Sequence, residues 1–251
     1  MNRYGLIGFP LSHSFSEKYF ASKFLREGIT DCVYQNFPIA NIGDLYKLIN
    51  ETEDLKGLNV TTPHKEKVLP FLTDSNTVVK SIGACNCIKI QNRTLQGYNT
   101  DVIGFEKSLL AHLRPQHSKA LILGEGGAAK AVSYVLEKLG IEYLHVVRRG
   151  TSGNGKVLFN DLTDSLIASH TLIVNSTPIG TYPNVLEYPP INYEVLNSSH
   201  YLYDLIYNPE KTMFLQKGEA KGAIIKNGYE MLLLQAEESW KIWANDDVES
   251  V

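Results

Sequence analysis

Residues 120–140, ALILGEGGAAKAVSYVLEKLG, decide how this chain is to be read. The segment begins as an apolar run suited to a buried strand, turns on glycines and continues as a helix. Ala128, Ala131, Val132, Val135, Leu136 and Leu139 recur at spacings of three and four, the repeat of one helix face, and Gly140 is a natural terminator. Gly124-Glu125-Gly126-Gly127-Ala128-Ala129 has the Gly-x-Gly-x-x-Gly/Ala spacing of a dinucleotide fingerprint. Its small residues allow a tight turn, close approach of backbone to a pyrophosphate, and close packing of helix on strand. The N–H groups and dipole at the helix start would hold the phosphates. An ordinary strand-to-helix turn satisfies the same pattern, so the flanking segments must decide.

A chain of 251 residues has room for two domains of ordinary size. Hydrophobic residues make up 43% and charged residues 20%, a soluble globular composition, and no apolar run approaches the ~20 residues that span a bilayer. The N-terminal run MNRYGLIGFPLSHSFSEKYF is too briefly apolar for a signal peptide, so a cytoplasmic protein is expected. A net charge of −3 with scattered lysines forms no basic stripe for a nucleic acid. Cys32, Cys85 and Cys87 are too few for a disulfide framework and pair with no histidine at zinc-like spacing, so they read as reduced cysteines and no metal is expected.

From the N-terminus, residues 4–7 read as a strand that turns at Gly8-Phe9-Pro10 into the polar loop Ser12-His13-Ser14-Phe15-Ser16. Ser16 is a good cap for a helix with Tyr19, Phe20, Phe24 and Leu25 on its apolar face, closed by Gly28. Capping leaves Ser12, His13 and Ser14 without a task at the end of a strand, where α/β folds place ligands. Residues 32–37 read as a strand and 42–49 as a helix. Gly57-Leu58-Asn59-Val60-Thr61 reads as a strand that Pro63 stops, Pro63 being suited to the first turn of a following helix. Thr61, Thr62, His64 and Lys65 then stand at the strand's mouth. Residues 84–90 and 94–98 form a hairpin around Gln91-Asn92-Arg93, followed by Asn99-Thr100-Asp101, where either acidic or amide side chain suits a helix cap. Capping does not explain Asn86, an amide between two cysteines in a strand, which needs partners if buried.

These residues carry a resemblance. Ser14-x-Ser16, Asn59-Val60-Thr61-Thr62-Pro63-His64-Lys65, Gly83-Ala84-x-Asn86, Gly97-x-Asn99-Thr100-Asp101 and Gly124-x-Gly126-Gly127-Ala128 occur in that order. Asn175-x-Thr177-Pro178-x-Gly180, Asp204-x-x-Tyr207-x-Pro209-x-x-Thr212 and Gly228-x-x-Met231-Leu232-x-x-Gln235 follow. The chain resembles the shikimate dehydrogenase family from end to end. It departs from the family pattern at Glu17, where proline is usual, at Glu125, where alanine is common, and at Thr181, where methionine is usual.

The resemblance implies an α/β protein with a Rossmann-type NADP-binding domain over residues 102–227. It also implies an α/β substrate-binding domain over residues 1–101, completed by the C-terminal helix in 228–251. The sequence agrees, since strand-like runs at 143–147, 171–174, 201–203 and 223–225 alternate with turns or helices as in a parallel sheet. Residues 227–243 read as a last helix with Met231, Leu234, Trp240 and Trp243 on one side.

Reduction of a ring ketone leaves negative charge on oxygen and needs a proton donor, and the resemblance assigns this to Lys65. Asp101 would be its partner carboxylate, accepting a hydrogen bond from a neighbouring substrate hydroxyl. Ser14 and Ser16 would take the substrate carboxylate, Asn59, Thr61, Asn86 and Gln235 the ring hydroxyls, and Tyr207 would close the site. On the cofactor side the resemblance implies Gly124, Gly126, Gly127, Ala128, Thr177, Leu205 and Gly228. The implied reaction is NADPH-dependent reduction of 3-dehydroshikimate to shikimate, in aromatic amino acid biosynthesis, by a monomer or homodimer. The alternatives are a quinate/shikimate dehydrogenase of broader specificity and a non-catalytic NADPH-binding sensor, against which the retention of both Lys65 and Asp101 argues.

The preference for NADP(H) has its own basis in the sequence. NAD-specific sites carry an acid about 20 residues after the glycines for the ribose 2′-OH. Here the second strand ends in Val146-Val147-Arg148-Arg149-Gly150. Guanidiniums at that tip suit a 2′-phosphate. Lys156 lies beyond a glycine-rich loop from the same phosphate, and Glu125 is expected to point outward from the phosphate turn.

Overall fold

The computed structural model describes residues 1–11 and 15–245, and it divides into two compact units, Met1–Thr100 with the chain from Ala236, and Asp101–Gln235. In the first unit the elements run β1 (Asn2–Gly8), α1 (Phe15–Glu27), β2 (Cys32–Pro38), α2 (Leu45–Glu51), β3 (Leu55–Val60), β4 (Asp74–Ser75), α3 (Thr77–Ile82), β5 (Cys87–Gln91) and β6 (Thr94–Tyr98). They form one sheet in the order β2-β1-β3-β5-β6-β4. The β1 strand is parallel to both β2 and β3, and β5 is antiparallel to β3 and β6.

Period-two alternation feeds both faces of this sheet: Ile7, Leu58 and Val60 join one apolar cluster, Tyr4, Leu6, Tyr34 and Tyr98 the other. Helix α1 and the end of the last helix, α8 (Tyr229–Ala244), cover the second face through Phe20, Phe24, Ile242 and Trp243. Trp243 stacks on Tyr4 at 5.0 Å and donates its indole N–H to Ile88 O at 3.0 Å. Gly57 makes room for it, since a Cβ there would lie 2.3 Å from Trp243 Nε1.

The second unit contains α4 (Asp101–Leu110), β7 (Lys119–Leu123), α5 (Gly127–Lys138), β8 (Glu142–Val147), β9 (Lys156–Leu158), α6 (Asp164–Ser169), β10 (Leu172–Asn175), β11 (Tyr201–Asp204), α7 (Met213–Ala220), β12 (Ile224–Lys226) and the start of α8. All five strand pairings are parallel, in the order β9-β8-β7-β10-β11-β12. The order reverses between β7 and β10, which makes this the expected Rossmann-type sheet and puts its ligand crevice at that switch point. The division between units falls inside α8 rather than ahead of it. Gly104 of α4 explains the hold on the helix's first turns, because a Cβ there would lie 2.6 Å from Met231 O and 3.2 Å from Gln235 Cβ.

Several local expectations are corrected. Ser16 is the second residue of α1 and buried, not its cap, and Leu25 on the same helix is 86% exposed. Pro63 does not open a helix; it lies in a turn at residues 62–63, a second turn covers 65–68, and only a short 3-10 helix follows at Leu69–Phe71. His64 N is bonded to Thr61 O at 2.9 Å and Val68 N to His64 O at 2.9 Å. The β5–β6 hairpin turns on two residues, Asn92 and Arg93, both at positive φ, since Gln91 already pairs with Thr94. Asn86 stands just ahead of β5 rather than within it. The strand β9 is hidden in the sequence by the loop before it, where Gly153, Asn154 and Gly155 all take positive φ.

Candidate active site

In the first unit the polar residues gather beyond the end of β3. Pairing with β1 continues one step past the strand, Thr61 N donating to Ile7 O at 2.9 Å, and the chain then turns through Thr62-Pro63. The His64 ring is fully buried and its Nε2 lies 2.7 Å from Ile39 O, so that nitrogen carries the proton, because a carbonyl only accepts. The Lys65 carbonyl accepts from Cys85 N at 2.8 Å. The backbone of Lys65 is thus anchored on both sides while its side chain is half-buried.

Behind Lys65 lies a buried polar network. Asn59 Oδ1 accepts from Tyr34 Oη at 2.9 Å, and its Nδ2 donates to Asn86 O at 3.3 Å and Ser239 Oγ at 2.9 Å. The expected substrate contact at Asn59 therefore meets an amide whose donors and acceptor are engaged. Asn86 Oδ1 accepts from Thr100 N at 2.7 Å, its Nδ2 lies 3.0 Å from Thr100 Oγ1, and Thr100 Oγ1 meets Ser239 Oγ at 3.2 Å. Burial drives the Tyr34 phenol well above its ordinary pKa, so it stays a neutral donor, and the Ser16 side chain hydrogen-bonds it. Ser16 thus reaches the same network. Ser14, with Ser12 and His13, lies outside the described residues.

The second unit carries the fingerprint at the crevice. Gly124 has φ +112°, and a Cβ on it would lie 2.8 Å from Ser176 Oγ, so both conformation and space demand glycine. Gly126 precedes Gly127, the first residue of the 12-residue α5, and nothing stands within 4 Å of where its Cβ would be. This leaves the turn open above the helix start, the cradle a pyrophosphate needs. Ala128 is half-buried and Ala129, the third fingerprint position, is fully buried. His145 of β8 holds the turn from below, its Nδ1 donating to Gly124 O at 2.8 Å and its Nε2 lying 3.0 Å from Ser133 Oγ of α5.

Arg148 and Arg149 stand exposed just past β8. Arg148 also borders a cavity of about 210 Å³ lined by Leu158, Phe159, Asn160, Ile179 and Pro190, an apolar slot with a guanidinium at its edge that suits a purine ring. Lys156 and Glu125 meet each other, Nζ to Oε2 at 2.6 Å. Thr177 is held by the Asn175 carboxamide oxygen, which accepts from its N at 3.1 Å and its Oγ1 at 2.6 Å. Leu205 N donates to Asn175 O at 3.0 Å, and a Cβ on Gly228 would lie 2.1 Å from Leu205 O, so these two backbones lie against one another. Asp101 opens α4 and is buried; Tyr207 and Gln235 are half-buried, and burial raises the Tyr207 phenol pKa. The residues present fit a dinucleotide: a glycine cradle, a cationic tip and an apolar slot share the carboxyl edge of one parallel sheet.

Sequence reasoning gave no role to Tyr34, Thr100, Ser239, His145 or Asp204. Ser239 follows Gln235 by four residues, one helix turn, so the face that carries Gln235 was a signal for it. Nothing in the local pattern marks Tyr34 or His145, whose partners lie 25 and 21 residues away.

Three comparisons with known proteins bear on this arrangement. The family described as the shikimate dehydrogenase substrate binding domain matches residues 6–88. A shikimate dehydrogenase (NADP(+)) of Nostoc sp. is 38% identical, over 97% of this chain and 91% of that protein. The crystal structure of shikimate dehydrogenase from Aquifex aeolicus superposes with a TM-score of 0.84 at 33% identity, covering 97% of this chain and 92% of that one. The shikimate 5-dehydrogenase of Thermus thermophilus, solved in complex with NADP(H) and shikimate, gives a TM-score of 0.82 at 27% identity over 97% of this chain and 93% of that one.

Proposed function

The chain belongs to the shikimate dehydrogenase family, and from that membership we propose that it catalyses the reversible NADPH-dependent reduction of 3-dehydroshikimate to shikimate. The observation that carries the cofactor half of this reading is the tip of β8, where exposed Arg148 and Arg149 stand in place of the acid of an NAD site. Gly124, Gly126, Gly127 and Ala128 would hold the pyrophosphate, Arg149 the 2′-phosphate, Arg148 the adenine at the slot it borders, and Thr177, Leu205 and Gly228 the nicotinamide end.

When bound, NADPH supplies the hydride to the ketone carbon. Lys65 gives a proton to the oxygen that becomes the new hydroxyl, and in the reverse direction takes it back. Its anchored backbone limits where the ammonium can be, which is the pre-organisation that such a transfer requires. Asp101 accepts a hydrogen bond from the neighbouring substrate hydroxyl and so orients the ring for that transfer. Ser14 and Ser16 donate to the substrate carboxylate, Thr61, Asn86 and Gln235 hold ring hydroxyls, and Tyr207 is a further substrate contact. Asn59, already committed to Tyr34, Asn86 and Ser239, is assigned to bracing those groups. The pathway served on this reading is aromatic amino acid biosynthesis, and the reading carries with it a cytoplasmic enzyme. Among the described residues no helix is long and apolar enough to cross a membrane.

The test is a steady-state assay of the purified protein with shikimate and quinate, each against NADP⁺ and NAD⁺. Turnover of shikimate with NADP⁺ as the best pair supports the reading. A higher kcat/KM for quinate, or no turnover of either substrate, overturns it.

A further inference from the structure

At the switch point, the loop after β10 rests on a carboxylate to which the proposed reaction gives no task. Asp204, the last residue of β11, is fully buried and pairs in register with Asn175, the last of β10. Its Oδ1 accepts from Asn175 Nδ2 at 3.1 Å and from Ile206 N at 3.0 Å, and its Oδ2 accepts from Thr212 Oγ1 at 2.6 Å. Asn175 is itself fully buried, and its amide is used at both ends. Its Nδ2 also reaches Ile179 O at 3.4 Å, while its Oδ1 receives Thr177 N and Thr177 Oγ1 at 3.1 and 2.6 Å. A carboxamide that receives two bonds from one residue fixes its turn, but only if something fixes the carboxamide plane. Asp204 does that, and it breaks the near-symmetry of the amide by accepting only from the nitrogen end.

The same turn abuts the phosphate cradle. Ser176 N and Oγ both donate to Leu123 O, at 3.0 and 2.7 Å, and Ser176 and Thr177 are the residues that a Cβ on Gly124 would meet. A path of direct contacts therefore runs from Asp204 through Asn175 to Thr177 and the first fingerprint glycine.

We propose that Asp204 is a positioning residue for cofactor binding, acting through Asn175 to set the turn that carries Ser176 and Thr177. The proposal rests on the reading that this crevice binds NADP(H). Burial pushes the Asp204 carboxyl up to about 7, against the opposing pull of its bonds from Thr212, Ile206 and Asn175. Protonation is accommodated at Oδ2, where the Thr212 hydroxyl turns from donor to acceptor. It leaves the Oδ1 bond to Asn175 neutral, and such bonds are roughly half as strong as charge-assisted ones. The titratable group facing Asp204 is Tyr193, which burial holds neutral well above its ordinary value. On the adjacent strand Lys226 is paired with Glu230, and Lys211 beside Thr212 is paired with Glu219.

The experiment measures the dissociation constants of NADPH and NADH by cofactor fluorescence from pH 5.5 to 8.5, for wild type, Asp204→Asn and Asn175→Ala, with the melting temperature of each. Asparagine keeps an acceptor at Oδ1 and mimics the protonated acid. Wild type is expected to lose affinity for both reduced cofactors as pH falls through about 7. Using NADH separates this from titration of the 2′-phosphate, which only NADPH carries. Asp204→Asn should bind about tenfold more weakly at pH 8 with a flat NADH profile, as expected for replacing a charge-assisted bond by a neutral one. Asn175→Ala should weaken binding at least as much. A lower melting temperature with unchanged affinity and unchanged profile would make Asp204 a structural brace and overturn the proposal. Should Asp204→Asn fail to fold, an Asn175→Ala that binds both cofactors as tightly as wild type overturns it, since the proposed path runs through Asn175. Failure of wild type to bind either cofactor overturns the functional reading instead.

Discussion

Lys156 Nζ donates to the Glu125 carboxylate at 2.6 Å, which ties the start of β9 to the phosphate turn. A carboxylate in that turn repels phosphate, and pairing it with Lys156 offsets that repulsion. Both side chains are about half exposed, at 46% and 52%, so the pair contributes only ~0–1 kcal/mol to stability. Its effect belongs to ligand binding. Lys156→Ala is expected to raise the NADP⁺ KM severalfold, because Glu125 is left uncompensated, and Glu125→Ala to lower it. The double variant should lie near wild type, a coupling that a double-mutant cycle isolates. Additive changes, or a Glu125→Ala that binds NADP⁺ more weakly, would show that the pair has another role. The effects should shrink at high salt.

Lys65→Ala is expected to fold and bind shikimate while kcat falls by about 10²- to 10⁴-fold, the usual worth of a positioned proton donor. The turn that carries it is held by His64 and by the Lys65 carbonyl, neither of which the substitution removes. Calorimetric titration with shikimate and single-turnover kinetics check the two halves. A near-wild-type kcat at saturating substrate would remove Lys65 from the reaction.

Legibility in the sequence followed the range of the physical cause. The strand, glycine turn and helix of 119–138 were readable because strand burial, glycine spacing and helical periodicity are all local. Asn86 was recognised as an amide in need of partners, but Thr100, which supplies them, sits 14 residues away and acts only because the β5–β6 hairpin returns the chain. Pro63 misled because proline suits the first turn of a helix equally with the tight turn found here. The Lys156–Glu125 contact spans 31 residues and depends on β8 and β9 being adjacent, which the positive-φ loop between them concealed. Leu25 lies on α1 yet outside its buried set of Ser16, Phe20, Lys23 and Phe24. Lys23 took a place on the buried side by pairing with Glu27 and Glu237 at 2.9 and 2.8 Å, which no apolar pattern announces.

Arg149→Ala should lower the ratio of kcat/KM for NADP⁺ over NAD⁺ by about 10- to 100-fold, the equivalent of one or two hydrogen bonds to a charged group. Arg148 and Arg149 make no hydrogen bond or ion pair among the described residues, so the loss is not masked by a structural role. Arg148→Ala should affect both cofactors more evenly, since the slot it borders suits the adenine that they share. Kinetics at fixed shikimate with both cofactors give the ratios. An unchanged ratio in Arg149→Ala would move 2′-phosphate recognition elsewhere.

The pH dependence of stability has two opposing sources in the second unit. His117 and His170 are buried with pKa values lowered chiefly by desolvation. Their unfolded forms, with pKa near 6.5, take up protons that the folded ones refuse, so their contribution is intact above about pH 6.5 and is lost on acidification below it. Asp204 runs the other way. Its folded pKa is raised to about 7 from 3.8, so the folded state holds a proton that the unfolded chain has released. Its contribution is full below about pH 4 and is lost as pH rises through about 7, which offsets the histidines between pH 7 and 5. Asp204→Asn cannot titrate, so only the histidine effect remains. Thermal and urea melts at pH 7, 6 and 5 should therefore show stability falling more steeply with acid in Asp204→Asn than in wild type, by up to about 1.4 kcal/mol per pH unit for one group. Parallel profiles for the two proteins would mean that Asp204 is ionised throughout this range in the folded state, and its three hydrogen bonds would then outweigh its burial.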